Sequence, residues 1–417
     1  MRKKVKKSLI SYSKRNLIFR RILRRLLFIY RRIKYLQYYI VNKTDDKIIV
    51  FEAYMGRNYA CSPKAIFETI MKDPKYKDYK FVWAFKKTSD YLFMNEFKNI
   101  TLVKYGGKQY YKNYSKAKYW ITNSRLPEHI IKRKDQVYIQ CWHGTPLKRL
   151  GHDIITNTKN ALNTKKELLK KYDNDAKRYN YMLSPSEFCS KKFESAFNLK
   201  ELHKNNIIIE KGYPRNDFLY NYEEKDVDRI KNELNIPKNK KVILYAPTWR
   251  DDQHTTGVGY TYKTEVNFEY LKEKLSNDYI ILFRAHYFVA NTFDFEQYNK
   301  FVYDVSNIDD INDLYIISDV LITDYSSVFF DYANLKRPMI FYMYDLDYYE
   351  KDLRGFYIDL DELPGDIVKE EKNIVDILKN IEKYNKKHST KYSKFNKKYN
   401  YLDDGKASSR VIEKAIK

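Results

Sequence analysis

An alternation constrains this chain most. From residue 45 onward, short β-branched or aromatic runs are separated by polar stretches of helical character. The runs fall at Ile48–Ala53, Phe81–Phe85, Ile100–Tyr105, Tyr119–Thr122, Val137–Cys141, Tyr181–Leu183 and Ile207–Lys211. A second series follows at Val242–Ala246, Tyr279–Phe283, Phe301–Val305, Val320–Thr323 and Pro338–Tyr342. Strands that alternate with helices build βαβ units, and those build parallel sheets, so the fold class is α/β. The charged stretch Asn221–Lys241 separates the two series. It sets the expected domains at 45–220 and 221–417, in keeping with single cores that stop growing near ~250–300 residues. The tail from Val368 reads as Lys-rich helix, and no repeat of fixed period is present.

The first 44 residues are different. They contain no Asp or Glu, and residues 1–34 hold fourteen Lys and Arg of a chain whose net charge is +25. Set on a helical wheel at about 100° per residue, Arg20, Arg21, Arg24, Arg25, Arg31 and Arg32 share one face. Ile18, Phe19, Ile22, Leu23, Leu26, Leu27, Ile29, Tyr30 and Ile33 share the other, and only Leu17 and Phe28 fall on the cationic side. Residues 1–44 therefore read as a basic amphipathic segment lying on an anionic membrane surface. The longest apolar run, Leu26–Tyr30, is far short of the roughly 20 residues that span a bilayer, and a small-residue cleavage site for a signal peptide is missing. Two other readings stay open: a basic helix packed on the protein's own core, and an arm for nucleic acid. More than half of the excess charge sits in residues 1–34, so the body is only mildly basic, which argues against nucleic acid as a partner. Cys61, Cys141 and Cys189 are far apart and odd in number, which suits a reducing cytoplasm without structural zinc.

In open parallel sheets ligands bind at the carboxyl ends of the strands, so the residues just after each run carry the information. After Val137–Cys141 come Trp142, His143, Gly144, Thr145 and Pro146. Gly144 permits a tight turn, and Thr145 with Pro146 looks like an N-cap and first helical residue. His143 would then stand at the sheet edge as a proton acceptor, or merely bond to the turn. After Tyr279–Phe283 come Arg284 and His286, which suit a pyrophosphate; the alternative is a salt-bridged arginine and a surface histidine. Val320–Thr323 ends at Asp324, and Ser326 and Ser327 open an apolar stretch whose helix N-terminus would bind phosphate. Thr248 and Arg250 follow Val242–Ala246, while Arg215 and Asp217 close the first domain. No Walker loop, G-x-G-x-x-G, G-x-S-x-G or H-E-x-x-H is present. The Asp-x-Asp triplets are what chance gives among 54 acidic residues, and no metal site is read from them.

Six ordered motifs across roughly residues 48–360 carry a family resemblance. They are Trp142-His-Gly-Thr-Pro-Leu-Lys, Ser184-Pro-Ser-Glu-Phe, Gly212-Tyr-Pro-Arg-Asn-Asp, Tyr245-Ala-Pro-Thr-Trp-Arg, Arg284-Ala-His, and Thr323-Asp-Tyr-Ser-Ser with Asp331. Together they resemble the CDP-glycerol glycerophosphotransferases of teichoic acid synthesis. The resemblance implies two Rossmann-like domains facing across a cleft, the GT-B arrangement, with the N-terminal amphipathic helix as an addition. It implies His143 as the base and His286 on the donor phosphates, aided by Arg284, Ser326, Ser327, Asp324, Thr248 and Arg250. Gly144, Thr145, Arg215 and Asp217 would line the acceptor side. It implies CDP-glycerol as donor with no tightly bound cofactor, and an undecaprenyl-linked teichoic acid or capsule polymer as acceptor. The expected location is the cytoplasmic face of the bacterial membrane, peripherally; self-association is left open. Relative to polymerases with an extra N-terminal region, the length looks like that of a priming or short-chain enzyme. CDP-ribitol as donor, a GT-B sugar transferase, a nucleic-acid-binding protein and a non-catalytic membrane scaffold remain as rivals.

Overall fold

The computed structural model describes residues 16–155, 164–248, 254–255, 259–260, 266–285, 295–346 and 355–417. Residues 1–15 of the basic segment, Arg250 and His286 lie outside the described residues.

Helix α1 (Leu17–Val41) comes first, capped by the Asn16 side chain, which accepts the Phe19 N–H. The first sheet contains β1 (Asp45–Glu52), β2 (Lys80–Phe85), β3 (Ile100–Lys104), β4 (Ala117–Thr122), β5 (Val137–Gln140), β6 (Tyr181–Ser184) and β7 (Ile208–Glu210). Helices α2 (Cys61–Met71), α3 (Lys108–Lys116), α4 (Lys165–Ala176) and α5 (Glu187–Ala196) cover it, and α6 (Phe218–Asn221) and α7 (Glu224–Glu233) lead out of it. The second sheet contains β8 (Lys241–Ala246), β11 (Tyr279–Phe283), β12 (Val302–Asp304), β13 (Val320–Thr323), β14 (Met339–Tyr342) and β15 (Ile367–Val368), while β9 (His254–Thr255) and β10 (Gly259–Tyr260) pair with each other. Helices α8 (Phe268–Leu275), α9 (Ile311–Ile317) and α10 (Val328–Tyr332) belong to it, followed by α11 (Glu371–Lys379), α12 (Ile381–Tyr399) and α13 (Ala407–Ala415).

Both sheets are parallel throughout. Their orders are β3-β2-β1-β4-β5-β6-β7 and β12-β11-β8-β13-β14-β15. Each therefore reverses direction once, between β1 and β4 in the first and between β8 and β13 in the second, and a crevice opens at each reversal. The strands are buried on both faces, as β11, β13 and β14 are at every residue. That burial is why they read as continuous apolar runs in the sequence and not as period-two alternation. The strands β15, β9 and β10 span two residues each, too short to leave a pattern.

One boundary differs from expectation. Residues 221–417 do not form a single unit, because α13 crosses back to the first domain. Val411, Ile412, Ala415 and Ile416 share a core with Ile66, Phe67, Ile70 and Leu183. Asp217, expected on the acceptor side of the cleft, is buried and caps α13 instead. Its two carboxylate oxygens accept the N–H groups of Ala407 (2.9 Å) and Ser408 (2.7 Å). Gly212 makes room for the crossing: its φ is +87°, and a Cβ there would lie 2.7 Å from the Leu402 carbonyl oxygen.

Helix α1 is anchored by its second half. Tyr35 is buried and its hydroxyl donates to the Ile131 carbonyl (2.7 Å), while Arg32 donates to the Glu128 carbonyl (3.1 Å). Ahead of that anchor, Ile18, Ile22, Leu26, Ile29 and Ile33 are all exposed, Ile18 at 71%. At spacings of three and four residues they form one stripe. The second half of the helix thus packs on the protein's own core, while the stripe of its first half is exposed.

Buried Glu52 ends β1. Its Oε2 accepts from the hydroxyls of Tyr110 (2.9 Å) and Tyr114 (3.0 Å), and burial pushes its carboxyl up to about 7. An acid raised by folding holds its proton more tightly in the folded state. Its contribution to stability is therefore whole below about 4.5 and is lost as pH rises through about 7. Glu52→Gln keeps an acceptor for both tyrosines and cannot ionise. It is expected to add about 1–3 kcal/mol at pH 8 and little at pH 4, read from urea midpoints. Equal midpoints for the two proteins at pH 8 would remove this account.

Candidate active site

Three strand ends of the first domain build one wall. After β5 the backbone turns sharply, with Trp142 at φ 51° and Gly144 at φ 131°, both in the left-handed region. The Trp142 N–H is taken by the Gln140 side-chain carbonyl at 2.9 Å. This turn drops the indole into the core against Phe193 and Phe197 and lays the His143 ring on it, 4.4 Å away at 28°. His143 Nδ1 lies 2.8 Å from the Asn123 carbonyl oxygen, just after β4. A carbonyl only accepts, so Nδ1 carries the hydrogen and Nε2 keeps its lone pair. Burial, joined by the guanidiniums of Arg215 and Arg125, pushes the imidazole down to about 4 against the favourable carbonyl bond. At neutral pH it is an uncharged ring in a fixed tautomer. The Asn123 Oδ1 in turn accepts the Tyr54 N–H (2.8 Å). Tyr54 stands just beyond β1, opening a turn in which Tyr54, Met55 and Gly56 all have positive φ. Its ring meets His143 edge-on at 6.0 Å. Tyr54 and Asn123 thus come from the first crevice, and His143 stands next to it.

The second domain presents its own strand ends to this wall. Thr323 bonds to the Ala246 carbonyl (2.7 Å), and Asp324 Oδ1 accepts the N–H groups of Thr248 (2.8 Å) and Tyr325 (2.6 Å). Asp324 and Thr248 are both buried. They tie the loops after β8 and β13 together behind the surface on which donor phosphates were expected. Ser326 and Ser327 are half-buried. Ser327 is the N-cap of α10, yet its hydroxyl makes no capping bond, and the helix runs only from Val328 to Tyr332. The two domains touch here: a Cβ on Gly144 would lie 3.4 Å from Ser327 Oγ and 3.9 Å from Arg215 Nη1. The space would take a Cβ in ordinary contact; it is the φ of 131° that favours glycine at this position.

Arg215 is buried between the domains. Its Nη2 lies 3.2 Å from Asp331 Oδ2, its N–H donates to Ser62, and its carbonyl accepts from Asn312. Burial opposes the guanidinium charge, but Asp331, Cys61 and Tyr54 outweigh it and hold the group charged. Arg284 donates through Nη1 to the carbonyls of Val305 (3.1 Å) and Ile308 (2.8 Å). Burial lowers its pKa while Tyr54 and Tyr315 support its charge, so the end of β11 reaches the same crevice.

The expected helix after Thr145 and Pro146 is absent. Leu147–Arg149 runs extended because its backbone finds partners in the other domain. Tyr357 N–H donates to the Leu147 carbonyl (2.8 Å), and Arg149 N–H to that of Gly355 (3.1 Å). Thr145 is buried at the start of this strap. Asp309 and Asp310 were not singled out in the sequence, yet they fasten the two halves. Asp309 accepts from Asn58 (2.9 Å) and the Tyr59 N–H (3.0 Å), and Asp310 pairs with Lys64 at 3.1 Å. Tyr54, Asn123 and Arg125 were also missed. They carry the same signal that exposed His143, namely a position just after a buried strand.

Two doubly wound domains whose reversal points face each other define the GT-B class. The comparisons with known proteins give the family. A family model described as CDP-glycerol:poly(glycerophosphate) glycerophosphotransferase matches residues 34–417. The teichoic acid poly(glycerol phosphate) polymerase of Staphylococcus epidermidis is 40% identical over 394 residues, 91% of this chain and 53% of that protein. The chain thus spans about half the length of that relative. The polymerase of the same description from Bacillus spizizenii is 37% identical over 374 residues, 89% of this chain and 92% of its own length. A structure of the wall teichoic acid polymerase TagF superimposes with a TM-score of 0.83 at 38% identity, covering 95% of this chain and 96% of that one. The chain belongs to the CDP-glycerol glycerophosphotransferase family. A relative named as a polymerase and matched over nearly its whole length means that chain length does not separate priming from polymerising members.

Asp331→Asn would leave the Arg215 charge buried beside a neutral amide. The expected loss is about 3–5 kcal/mol of unfolding free energy, measured by urea denaturation; a loss under about 1 kcal/mol would dismiss the bridging role.

Proposed function

We propose that this protein transfers glycerol phosphate from CDP-glycerol to a hydroxyl of a lipid-linked teichoic acid acceptor and releases CMP. The observation that carries this reading is the neutral, tautomer-fixed His143 at the point where Gly144 meets Ser327 of the other domain. The acceptor hydroxyl loses its proton to His143 Nε2 as its oxygen bonds to the phosphorus bearing the glycerol. The bond from that phosphorus to the CMP oxygen breaks, and CMP leaves with the electron pair. A free imidazole at about 4 is a weak base, but an anionic donor beside it raises its proton affinity as the complex forms. His286, two residues beyond Arg284, is assigned to the donor phosphates with the Ser326 and Ser327 loop. Positioning and electrostatic stabilisation then do most of the work, as in phosphoryl transfer generally. The glycerol donor is favoured over ribitol by the relatives at 40% and 37% identity, which are named for poly(glycerol phosphate).

His143→Ala and His286→Ala are each expected to cut donor-dependent CMP release by at least about 10²-fold. Since His143 must be neutral to act, kcat/KM for the parent should hold as pH falls to about 5 and drop only as pH nears 4. Near-parental turnover in either folded variant, or an acid limb centred near 6.5, would sink the assignment. UDP release from UDP-sugars in place of CMP release would favour a sugar transferase.

The membrane surface is the proposed site of action. Its support is the exposed stripe Ile18 to Ile33 on an arginine-rich helix. Among the described residues no helix is long and apolar enough to cross a membrane, which leaves surface attachment for α1. Tyr35 belongs to the core, so the informative truncation stops short of it. Removing residues 1–30 is expected to abolish sedimentation with phosphatidylglycerol vesicles while soluble CMP release persists. Unchanged vesicle binding would return α1 to a purely structural part.

A further inference from the structure

The Lys-rich tail is left without a use by the transfer reading. Helix α12 carries seven lysines, and no Asp or Glu occurs from Lys383 to Asn400. Tyr384, His388, Phe395 and Tyr399 bury one face of it in the second domain. Asn385, Ser389, Ser393 and Asn396, three and four residues apart, form a polar strip beside that face. Between this strip and the start of β14 at Met339 lies a groove of about 590 Å³, within the ~300–1,000 Å³ of small-ligand sites. It stands at the amino edge of the second sheet, whereas the crevice lies at the carboxyl edge. One wall of the groove is fixed. Tyr392 donates to the Arg337 carbonyl (2.9 Å), Asn396 to that of Ala333 (2.9 Å) and Asn400 to that of Phe330 (2.8 Å). The side chains of Asn385 and Ser393 bond to no described residue, and Ser389 spends only its hydroxyl hydrogen, on the Lys386 carbonyl (2.9 Å). They leave amide and hydroxyl groups open to a ligand. Lys336 and Lys397 stand exposed at the mouth, and neither pairs with a described carboxylate. The acids around the groove are largely committed. Asp366 meets Lys387 (2.8 Å) and His388 (3.2 Å), and Glu362 meets Lys398 (2.5 Å) and Tyr399 (2.8 Å). Asp403, at the inner end, accepts the Tyr213 N–H (2.8 Å) and the amides of Asn216 (2.7 Å) and Asn334 (3.2 Å). Glu382, ahead of the strip, is exposed.

Cations at the mouth with amides and hydroxyls inside suit a ligand that carries both phosphate and hydroxyl groups. We infer that this groove is a second binding site, away from the reaction centre, for a polyol phosphate chain. This rests on the proposed transfer, whose product is such a chain, and adds a place on the far edge of the second domain where that chain is held. A lipid headgroup offers the same chemistry, but a helix that lies on a bilayer needs an apolar face turned toward it. The apolar face of α12 is buried in the core, and none of its large apolar residues is exposed.

The test titrates a fluorescein-labelled glycerol phosphate oligomer onto the protein and reads anisotropy, with CMP present to fill the donor site. Ser393 is exposed and its side chain bonds to no described residue, so substitutions there spare the fold. Ser393→Glu is expected to weaken binding about tenfold and Ser393→Lys to tighten it about threefold. Simple obstruction would weaken both, and that result, or no change in either, would overturn the site. CMP release with an acceptor bearing one glycerol phosphate should be unchanged in both variants, which controls for misfolding. Inorganic polyphosphate bound as tightly as the oligomer would overturn the recognition of a polyol. A Ser393→Glu protein that lost phosphatidylglycerol vesicle binding but kept its oligomer affinity would also overturn the site, because the groove would then serve headgroups. If the parent released no CMP from CDP-glycerol, the transfer reading would fall by itself, and the Ser393 series would still decide the groove.

Discussion

The buried pair of Arg215 and Asp331 is the contact on which the site depends. A dry ion pair is a poor source of net stability, since desolvating both charges offsets most of their attraction. Its value here is positional. Arg215 stands at the end of the first domain and Asp331 on a short helix of the second, so the pair fixes how the halves meet. The backbone of Arg215 is held from both sides as well, by Ser62 and Asn312. With that register set, Gly144 can rest against Ser327, and the strap at Leu147–Arg149 can find the backbone of Gly355 and Tyr357.

The same guanidinium acts on His143, the proposed base. Arg215 and Arg125 both disfavour a proton on His143, and burial disfavours it more. The hydrogen bond from Nδ1 to the Asn123 carbonyl settles which nitrogen remains basic. Asn123 also holds the Tyr54 turn, so one asparagine fixes the ring's tautomer and the loop that walls it. Three left-handed residues in that turn and another at Trp142 show where ordinary backbone shape is given up to aim these groups.

Much of this was legible in the sequence because parallel strands are buried on both faces. Tyr279–Phe283 and Val320–Thr323 stand out as unbroken apolar runs and end where the sheet ends. His143 was legible for the same reason, as the first polar ring after such a run. What stayed hidden depends on partners far along the chain. The tie of Asp217 to α13 joins residues about 190 apart, and nothing local distinguishes a helix cap from a cleft carboxylate. Thr145-Pro146 carries a sound helix-start signal, yet the strap's pairing with the other domain overrides it. Asn123 acts through its backbone carbonyl, which every residue has, so its identity could not announce the role. Arg250 and His286 lie outside the described residues.

The return of α13 to the first domain has a consequence for biosynthesis. During translation the first sheet emerges before the second, but the face of its core that receives Val411, Ile412 and Ile416 stays uncovered until those residues have left the ribosome. The first domain therefore cannot finish folding before the second has been made. A nascent chain of this kind exposes Ile66, Phe67 and Ile70 for that interval, which makes it a natural client for chaperones and a poor candidate for expression as an isolated N-terminal half.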